Sequence, residues 1–468
     1  MQNMKEDKRI YILKEEKPAV AVLKLGLPLV AGMFIMVLYN LVDTFFIGLL
    51  RDDYQLAAVN LAYPIMMISI AISNMIATGA GSLIARSLGK GDTEKAEHTV
   101  TVGILFTLIG SLIVTILGLL LLDPIVIGLG AQDNTFLYTK QYAFWLFLGT
   151  IFTMGNYTLG QLLRSEGSVR YSLIGMVVGT LANIALDPLF IFGFHLEIRG
   201  AAIATILGNA IGMTASILVY LRKKSLLHPS PKYIRPTKEI VREIFWVGVP
   251  ATMETLLISV AYIINNNLAV AYGELTVAAM GVAQKIMSVG TYIYQGMAAG
   301  VQPIMGYNYG AKNYKRMLAV LRSGILVLSG IELGVMAVFG IFAPQLIALF
   351  TDSGEVIEIG SRVLRTIMLI LPFVGAVSMS RISFQAIGKA QYSFIITVIR
   401  QLALYVPLLL ILNNIFGFNG MLFAQPITEA IMMIVSVWML VSVIRSVKVD
   451  PRDGVEGPLL SSNDVESV

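Results

Sequence analysis

Two carboxylates stand inside otherwise apolar runs of this chain: Asp43, in Tyr39-Asn40-Leu41-Val42-Asp43-Thr44-Phe45-Phe46-Ile47-Gly48, and Asp187, in Asn183-Ile184-Ala185-Leu186-Asp187-Pro188. A charge at bilayer depth costs roughly 2.5–3.5 kcal/mol on insertion scales, so it normally faces a cavity or a partner. Asn183 falls one helical turn from Asp187 on the same face, and Thr205 sits in the following apolar run. Carboxylate, amide and hydroxyl oxygens suit a proton or a hard cation such as Na⁺, and not a soft metal. Two carboxylates held close together repel as anions, so such a pair can also take up and pass on a proton. The plainer alternative is an Asp that caps a helix or pairs within a bundle.

The elements that must position these groups follow from composition. Of 468 residues, 56% are hydrophobic and only 13% charged, and the mean hydropathy is +0.76. A soluble domain carries about 25% charged residues, so this is the composition of a membrane protein. With no cysteine, disulfides, thiolate zinc sites and thiol nucleophiles are excluded together. His98, His195 and His228 all fall in expected loops or helix ends, which argues against a histidine metal site. Residues 1–22 mix acids and bases and run into an apolar segment without a cleavage site, so they read as a cytoplasmic leader. Residues 447–468 read as a polar, disordered tail with no assigned function.

About 20 apolar residues span a bilayer, and twelve such segments can be laid down: residues 23–50, 56–86, 98–122, 136–163, 171–193, 200–222, 240–272, 276–306, 317–343, 361–387, 392–414 and 419–446. The fold class is therefore an all-α polytopic membrane protein. Basic residues gather in the leader, at Arg86/Lys90/Lys95, Arg164/Arg170, the 222–242 loop, Lys312/Lys315/Arg316/Arg322, Lys389 and the C-terminal end. The opposite side keeps only Arg51, Lys140, Arg199, Arg362 and Arg365. The basic side faces the cytoplasm, which places both termini there. On this topology Asp43, Asp187 and Thr205 all lie about 8–10 Å from the outer ends of their helices.

The two halves repeat. Gly26-Leu27-Pro28 matches Gly248-Val249-Pro250, Gly79 and Gly89 match Gly300 and Gly310, Asp123-Pro124 matches Ala343-Pro344, Gly167 and Tyr171-Ser172 match Gly388 and Tyr392-Ser393, and Gly200 matches Gly420. A nearly constant shift over six helices means duplication. The expected lobes are residues 23–222 and 240–446, joined by a cytoplasmic linker at 223–239, pseudo-symmetric about an axis along the membrane normal. Close helix contacts are signalled by Gly175/Gly179, Gly208/Gly212 and Gly296/Gly300. Pro28 and Pro250 each permit a bend, either a static kink or a hinge.

Asp43 has Asn265 at the repeat position, and Asn183 and Asp187 have Leu404 and Leu408, so ion chemistry belongs to the first lobe. The remaining intramembrane charges are Glu254, Lys285, Glu332, Arg381, Arg400 and Glu429. Lys285, Arg400 and Glu429, with Asn40, Asn265 and Asn266, are candidates for a substrate cavity; the alternative for Arg400 and Glu429 is pairing with each other. Met253, Met280 and Met287 are candidates for an adaptable apolar wall, unless they merely fill gaps between helices. Neither Gly-x-x-x-x-Gly-Lys-Ser/Thr nor a dinucleotide fingerprint is present, and Gly89-Lys90-Gly91-Asp92 lacks the upstream glycine and the following hydroxyl. ATP is thereby set aside, and an ion gradient remains as the energy source unless another subunit supplies ATP.

The run Gly300-Val301-Gln302-Pro303-Ile304-Met305-Gly306-Tyr307-Asn308-Tyr309-Gly310-Ala311-Lys312 resembles the multidrug and toxic compound extrusion (MATE) family. So do Leu163-Arg164-Ser165-Glu166-Gly167, Phe384-Gln385-Ala386-Ile387-Gly388-Lys389 and Asp43-Thr44, and the resemblance covers residues 20–446. It implies twelve helices in two six-helix lobes and an antiporter in the bacterial or archaeal cytoplasmic membrane. Such an antiporter exports organic, often cationic and amphiphilic compounds in exchange for H⁺ or Na⁺, with no cofactor and no enzymatic activity. In the DinF-like branch a cation site in the first lobe uses positions matching Asp43, Asn183, Asp187 and Thr205, and a bend at the position of Pro28. Helix 10 has no acid where the NorM-like branch places one, so the resemblance is to the DinF-like or MepA-like side. Small drugs and the lipid bilayer are then the partners, no nucleic acid is involved, and the chain is expected to act as a monomer. A lipid-linked oligosaccharide flippase is the alternative, but it needs a strongly cationic cavity, for which only Lys285, Arg381 and Arg400 are at hand. An intramembrane aspartyl enzyme would need a Gly-x-Gly-Asp type signature that is missing around Asp43 and Asp187.

Overall fold

A computed structural model describes residues 7–50 and 52–447; Arg51 and the expected tail beyond Val447 lie outside the described residues. The helices are α1 (Lys8–Lys14), α2 (Pro18–Gly48), α3 (Asp53–Lys90), α4 (Thr93–Leu120), α5 (Leu122–Gly128), α6 (Asp133–Leu148), α7 (Thr150–Ser165), α8 (Val169–Pro188) and α9 (Glu197–Leu221). After the linker come α10 (Lys238–Val270), α11 (Glu274–Gly310), α12 (Tyr314–Ile341), α13 (Ala343–Ala348), α14 (Gly354–Met368), α15 (Leu371–Ala386), α16 (Ala390–Val398) and α17 (Val406–Val447). No strand occurs among the described residues. Each of the twelve expected segments coincides with helical backbone. Two of them are divided, into α6 with α7 and into α14 with α15, the latter bent by 46°. The last two share the long helical stretch that ends in α17, interrupted at Gly417 (φ 60°, ψ −141°). Among the described residues, seven helical stretches are by themselves long and apolar enough to cross a membrane, eight with the bent pair.

Local chemistry explains where the helices start and stop, and it repeats. Asp92 caps α4 by accepting from the Lys95 backbone N–H at 2.9 Å, and Asn313, its repeat counterpart, caps α12 by accepting from Arg316 N–H at 3.1 Å. Such a cap contributes about 1 kcal/mol. The turns between α7 and α8 and between α15 and α16 need a left-handed residue, and both supply glycine: Gly167 (φ 86°) and Gly388 (φ 80°).

Helix crossings are set by glycine, because helices in lipid associate through close packing and not through the hydrophobic effect. A Cβ on Gly79 of α3 would sit 2.0 Å from the Ile244 carbonyl oxygen of α10, and one on Gly248 2.0 Å from that of Met75. At the repeat-related positions, a Cβ on Gly300 of α11 would meet Gly26 of α2 at 2.6 Å. These crossings account for how the chain divides by packing. One compact unit takes the chain up to Val30 together with the chain from Met253 on; the other takes Ala31–Thr252. The division therefore falls inside α2 and inside α10, two residues beyond Pro28 and Pro250, and not in the linker, where the repeat alone would place it.

The linker is held to the Ala31–Thr252 unit. Glu166, in the α7–α8 turn, accepts from Ser225 Oγ at 2.7 Å and from the Leu227 N–H at 3.1 Å. Ser230 N–H donates to Thr101 Oγ1 at 3.2 Å, and the His98 ring stacks on Tyr233 and lies 2.9 Å from the Arg235 carbonyl oxygen. Lys232 donates to Glu94 and holds its carboxyl below the ordinary range. A lowered carboxyl stabilises the folded state above its ordinary range and loses that contribution as pH falls, so this exposed contact weakens on acidification. In the other unit, α1 is tied down by Asn308 and Arg316, whose side chains donate to the Leu13 carbonyl oxygen at 2.9 and 3.2 Å.

Candidate cation-binding site

Helices α8 and α9 touch along the glycine stripes read from the sequence. A Cβ on Gly208 would sit 2.7 Å from Asn183 Cβ and 2.8 Å from the Gly179 carbonyl oxygen, and one on Gly212 would sit 2.8 Å from Gly175 O. Because the two helices run in opposite directions, a contact between Asn183 and Gly208 carries a consequence one turn further on. Asp187 on α8 comes level with Thr205 on α9. Asn183, Asp187 and Thr205 are 3%, 0% and 3% exposed. Directly after Asp187, Pro188 removes a backbone donor and the chain passes into a π-helical turn, Leu189–Gly193, a distortion that recurs at functional positions.

Asn183 Nδ2 donates to Asp187 Oδ1 at 3.3 Å. The third element is α2, whose Asp43 carboxyl lies close enough to Asp187 to act on it electrostatically. Asp43 Oδ1, Asn183 Oδ1 and Asp187 Oδ2 are all buried and accept no hydrogen bond from the protein. An unsatisfied buried oxygen costs about 1–3 kcal/mol and calls for an explanation. Three of them on two carboxylates and an amide make an oxygen-only, charge-poor ligand set, suited to a proton or a monovalent hard cation. Among the described residues no group of three or more His, Cys, Asp or Glu could hold a metal ion.

Four polar neighbours in this unit escape a reading that follows charges alone. Asn209 Nδ2 donates to the Thr205 carbonyl oxygen at 3.0 Å, and Asn156 Nδ2 to Asn209 Oδ1 at 3.1 Å. Tyr157 Oη donates to Asn74 Oδ1 at 3.1 Å. The available signal was amides spaced through apolar helices. Gly208→Ala is expected to force α8 and α9 apart, to cost about 1–3 kcal/mol as overpacking does, and to lower transport with it. Thermal unfolding in detergent and transport in vesicles measure the two effects.

The candidates of the other unit are distributed differently. Arg400, in a π-helical stretch at Ile399–Tyr405, donates through Nε to Glu429 Oε1 at 2.7 Å, so the two pair with each other. Tyr405 Oη donates to Asn265 Oδ1 at 3.0 Å. Arg381 donates to Glu254 at 2.6 Å, and Gln385 donates to the same carboxylate at 3.2 Å. Met280 and Met287 do not form an open cavity wall. They are 6% and 8% exposed and pack in the core with Ala283, Val363, Leu364 and Leu371, because tight helix contacts there need a side chain that fills irregular gaps. Met253 and Lys285 are exposed and Asn266 is half-buried, whereas the side chain of Asn40 lies outside the described residues.

Glu332 on α12 stands apart: fully buried, with neither carboxylate oxygen hydrogen-bonded. It packs where Gly290 of α11 leaves room, 3.3 Å from the position a Cβ there would take. Glu332→Met, which removes the unsatisfied group at similar volume, is expected to raise the apparent Tm in detergent by a few degrees, for a gain of about 1–3 kcal/mol. An unchanged or lower Tm would mean that the carboxyl has a partner that this packing does not supply.

Residues 28–189 and 250–411 both match the family model described as MatE, two matches offset by 222 residues. The chain belongs to the MatE family. It is similar to the multidrug export protein MepA of Staphylococcus haemolyticus (strain JCSC1435), 28% identical over 451 residues, 96% of this chain and 99% of that protein. MepA of Staphylococcus aureus (strain NCTC 8325 / PS 47) is 28% identical over 452 residues, 97% and 100% of the two chains. Among solved structures, the outward-facing conformation of a multidrug resistance MATE family transporter of the MOP superfamily matches with a TM-score of 0.90. That chain is 29% identical, and the match covers 94% of this chain and 99% of that one. A MOP superfamily transporter from Pyrococcus furiosus, described as having a binding pocket of reversed polarity, matches with a TM-score of 0.88. It is 28% identical, over 95% and 99% of the two chains. As a MatE member, this chain is a polytopic all-α membrane transporter and not an enzyme.

Proposed function

We propose that this MatE transporter is a secondary active multidrug efflux antiporter, exporting organic, often cationic and amphiphilic compounds in exchange for H⁺ or Na⁺. The observation that carries this reading is the trio of buried, unpartnered oxygens on Asp43, Asn183 and Asp187. Ionisable groups are costly in lipid, and a cation that binds and leaves accounts for three such oxygens, on two carboxylates and an amide. The names of the MepA relatives and of the solved MATE transporters support the substrate class. The basic loops support both termini lying in the cytoplasm, and the transporter is proposed to work as a monomer.

The ion, bound by Asp43 and Asp187 with Asn183 and Thr205 completing the shell, favours the state that releases substrate outward; its departure inward resets the site. Pro28, two residues before α2 changes unit, is proposed as the bend that accompanies this cycle. The flippase alternative loses ground on the pairing of the cations it would need. Arg400 and Arg381 are matched by Glu429 and Glu254, which leaves Lys285 with little to offer a pyrophosphate.

Efflux of a fluorescent cationic dye from proteoliposomes, under separately imposed Na⁺ and pH gradients, tests the proposal. One gradient is expected to drive efflux and the other not. Efflux that ignores both gradients would overturn the antiport.

A further inference from the structure

The Ala31–Thr252 unit carries a second feature, away from the carboxylate cluster. Helices α4, α7 and α9 leave between them a crevice of about 290 Å³ whose wall is almost wholly apolar, formed by Ile104, Leu108, Ile151, Leu159, Ile217 and Leu221, among others. Even its hydroxyls are turned to one another: Thr107 Oγ1 donates to Thr158 Oγ1 at 3.1 Å. One polar atom breaks the pattern. Tyr220, which also lines the crevice, is 7% exposed, and its phenol oxygen is buried without a hydrogen-bond partner.

What stands at the end of the crevice says what fills it. Leu221 at the end of α9 and Pro229 in the linker lie on its wall, and between them run Arg222, Lys223 and Lys224, all exposed, with His228 next to Pro229. Lys223 holds a left-handed backbone (φ 52°). The nearby acids are engaged: Glu166 accepts from Ser225, Leu226 and Leu227, and Glu97 from the His228 N–H at 3.2 Å. An apolar slot between membrane helices, ending at a cluster of cations, is complementary to an acyl chain bearing an anionic head. A cationic amphiphile of the kind proposed for export would meet like charge at that end.

We propose that the α4–α7–α9 crevice is a binding site for an anionic phospholipid of the leaflet on the linker's side, with an acyl chain in the crevice, its phosphate at Arg222 and Lys223, and the Tyr220 hydroxyl donating to a headgroup or ester oxygen. Because α4 and the turn that follows α7 also carry the linker contacts, the bound lipid fastens linker and helices together.

Native mass spectrometry tests this on the full chain, released from mixed micelles holding equal amounts of phosphatidylglycerol and phosphatidylcholine with the same acyl chains. The wild-type chain is expected to retain one phosphatidylglycerol in preference to phosphatidylcholine. Arg222→Gln/Lys223→Gln, two surface changes, is expected to erase that preference, by roughly 30-fold at about fivefold per charge. Ile217→Trp, which fills the crevice, is expected to lose retained lipid of both kinds, and Leu108→Phe serves if Ile217→Trp does not fold. Equal retention of the two lipids by the wild-type chain, or unchanged preference in the charge variant, would overturn the proposal. Displacement of the retained lipid by a cationic dye would equally overturn it, by making the crevice a site for exported compounds.

Discussion

In vesicles carrying the driving gradient, Asp187→Asn is expected to lower dye efflux by roughly 100-fold, the size of a coupling free energy near 3 kcal/mol, while the purified variant elutes and melts like the parent. The substitution keeps the volume and the hydrogen bond that Asn183 gives at 3.3 Å, but it removes the charge that would hold the ion. Asp43→Asn is expected to behave alike, since the Asp43 carboxyl acts on that of Asp187. Unaltered efflux by either variant would remove that residue from the coupling site. A variant that unfolds without losing transport per folded molecule would make the cluster structural.

The second large effect concerns stability. Arg400→Met strips the Glu429 carboxylate, which is fully buried, of its guanidinium partner and leaves an uncompensated charge. Breaking a buried pair in this way costs about 3–5 kcal/mol, enough for most of the protein to be lost before purification. Arg400→Met/Glu429→Met removes both charges and is expected to recover nearly all of that loss, since apolar replacement of a whole buried pair is often neutral. Fluorescence-detected gel filtration over a temperature ramp separates the two variants. A stable Arg400→Met protein with abolished export would instead place Arg400 on the substrate path.

Much of this was legible because the signals were local. Asn183 and Asp187 share a face by spacing alone, and Gly208/Gly212 against Gly175/Gly179 announced the close contact that sets Thr205 beside them. The repeat was legible because duplication left caps and glycines in register, as with Asp92 and Asn313 or Gly167 and Gly388. What stayed hidden depends on which helix lies beside which. Glu254 and Arg381 stand far apart in the chain, and nothing in either neighbourhood announces the other. Met280 and Met287 have the same composition whether they line a cavity or fill a core, and only packing decides. The hold of Glu166 on the linker is likewise a contact between a turn and a distant loop, invisible to any periodicity.

The division of the chain inside α2 and α10 bears on how the protein is made. The unit Ala31–Thr252 is complete in sequence once Thr252 has left the ribosome, so it can assemble while the rest is being synthesised. The other unit needs the chain up to Val30, which emerges before the first unit, and the chain from Met253 onward, which emerges after it. At roughly 5–20 residues per second, the segment up to Val30 waits tens of seconds for its partners, with the apolar end of α2 unmatched meanwhile. Nor does a cut in the linker yield two self-sufficient halves, because each fragment would carry a piece of helix that belongs with the other.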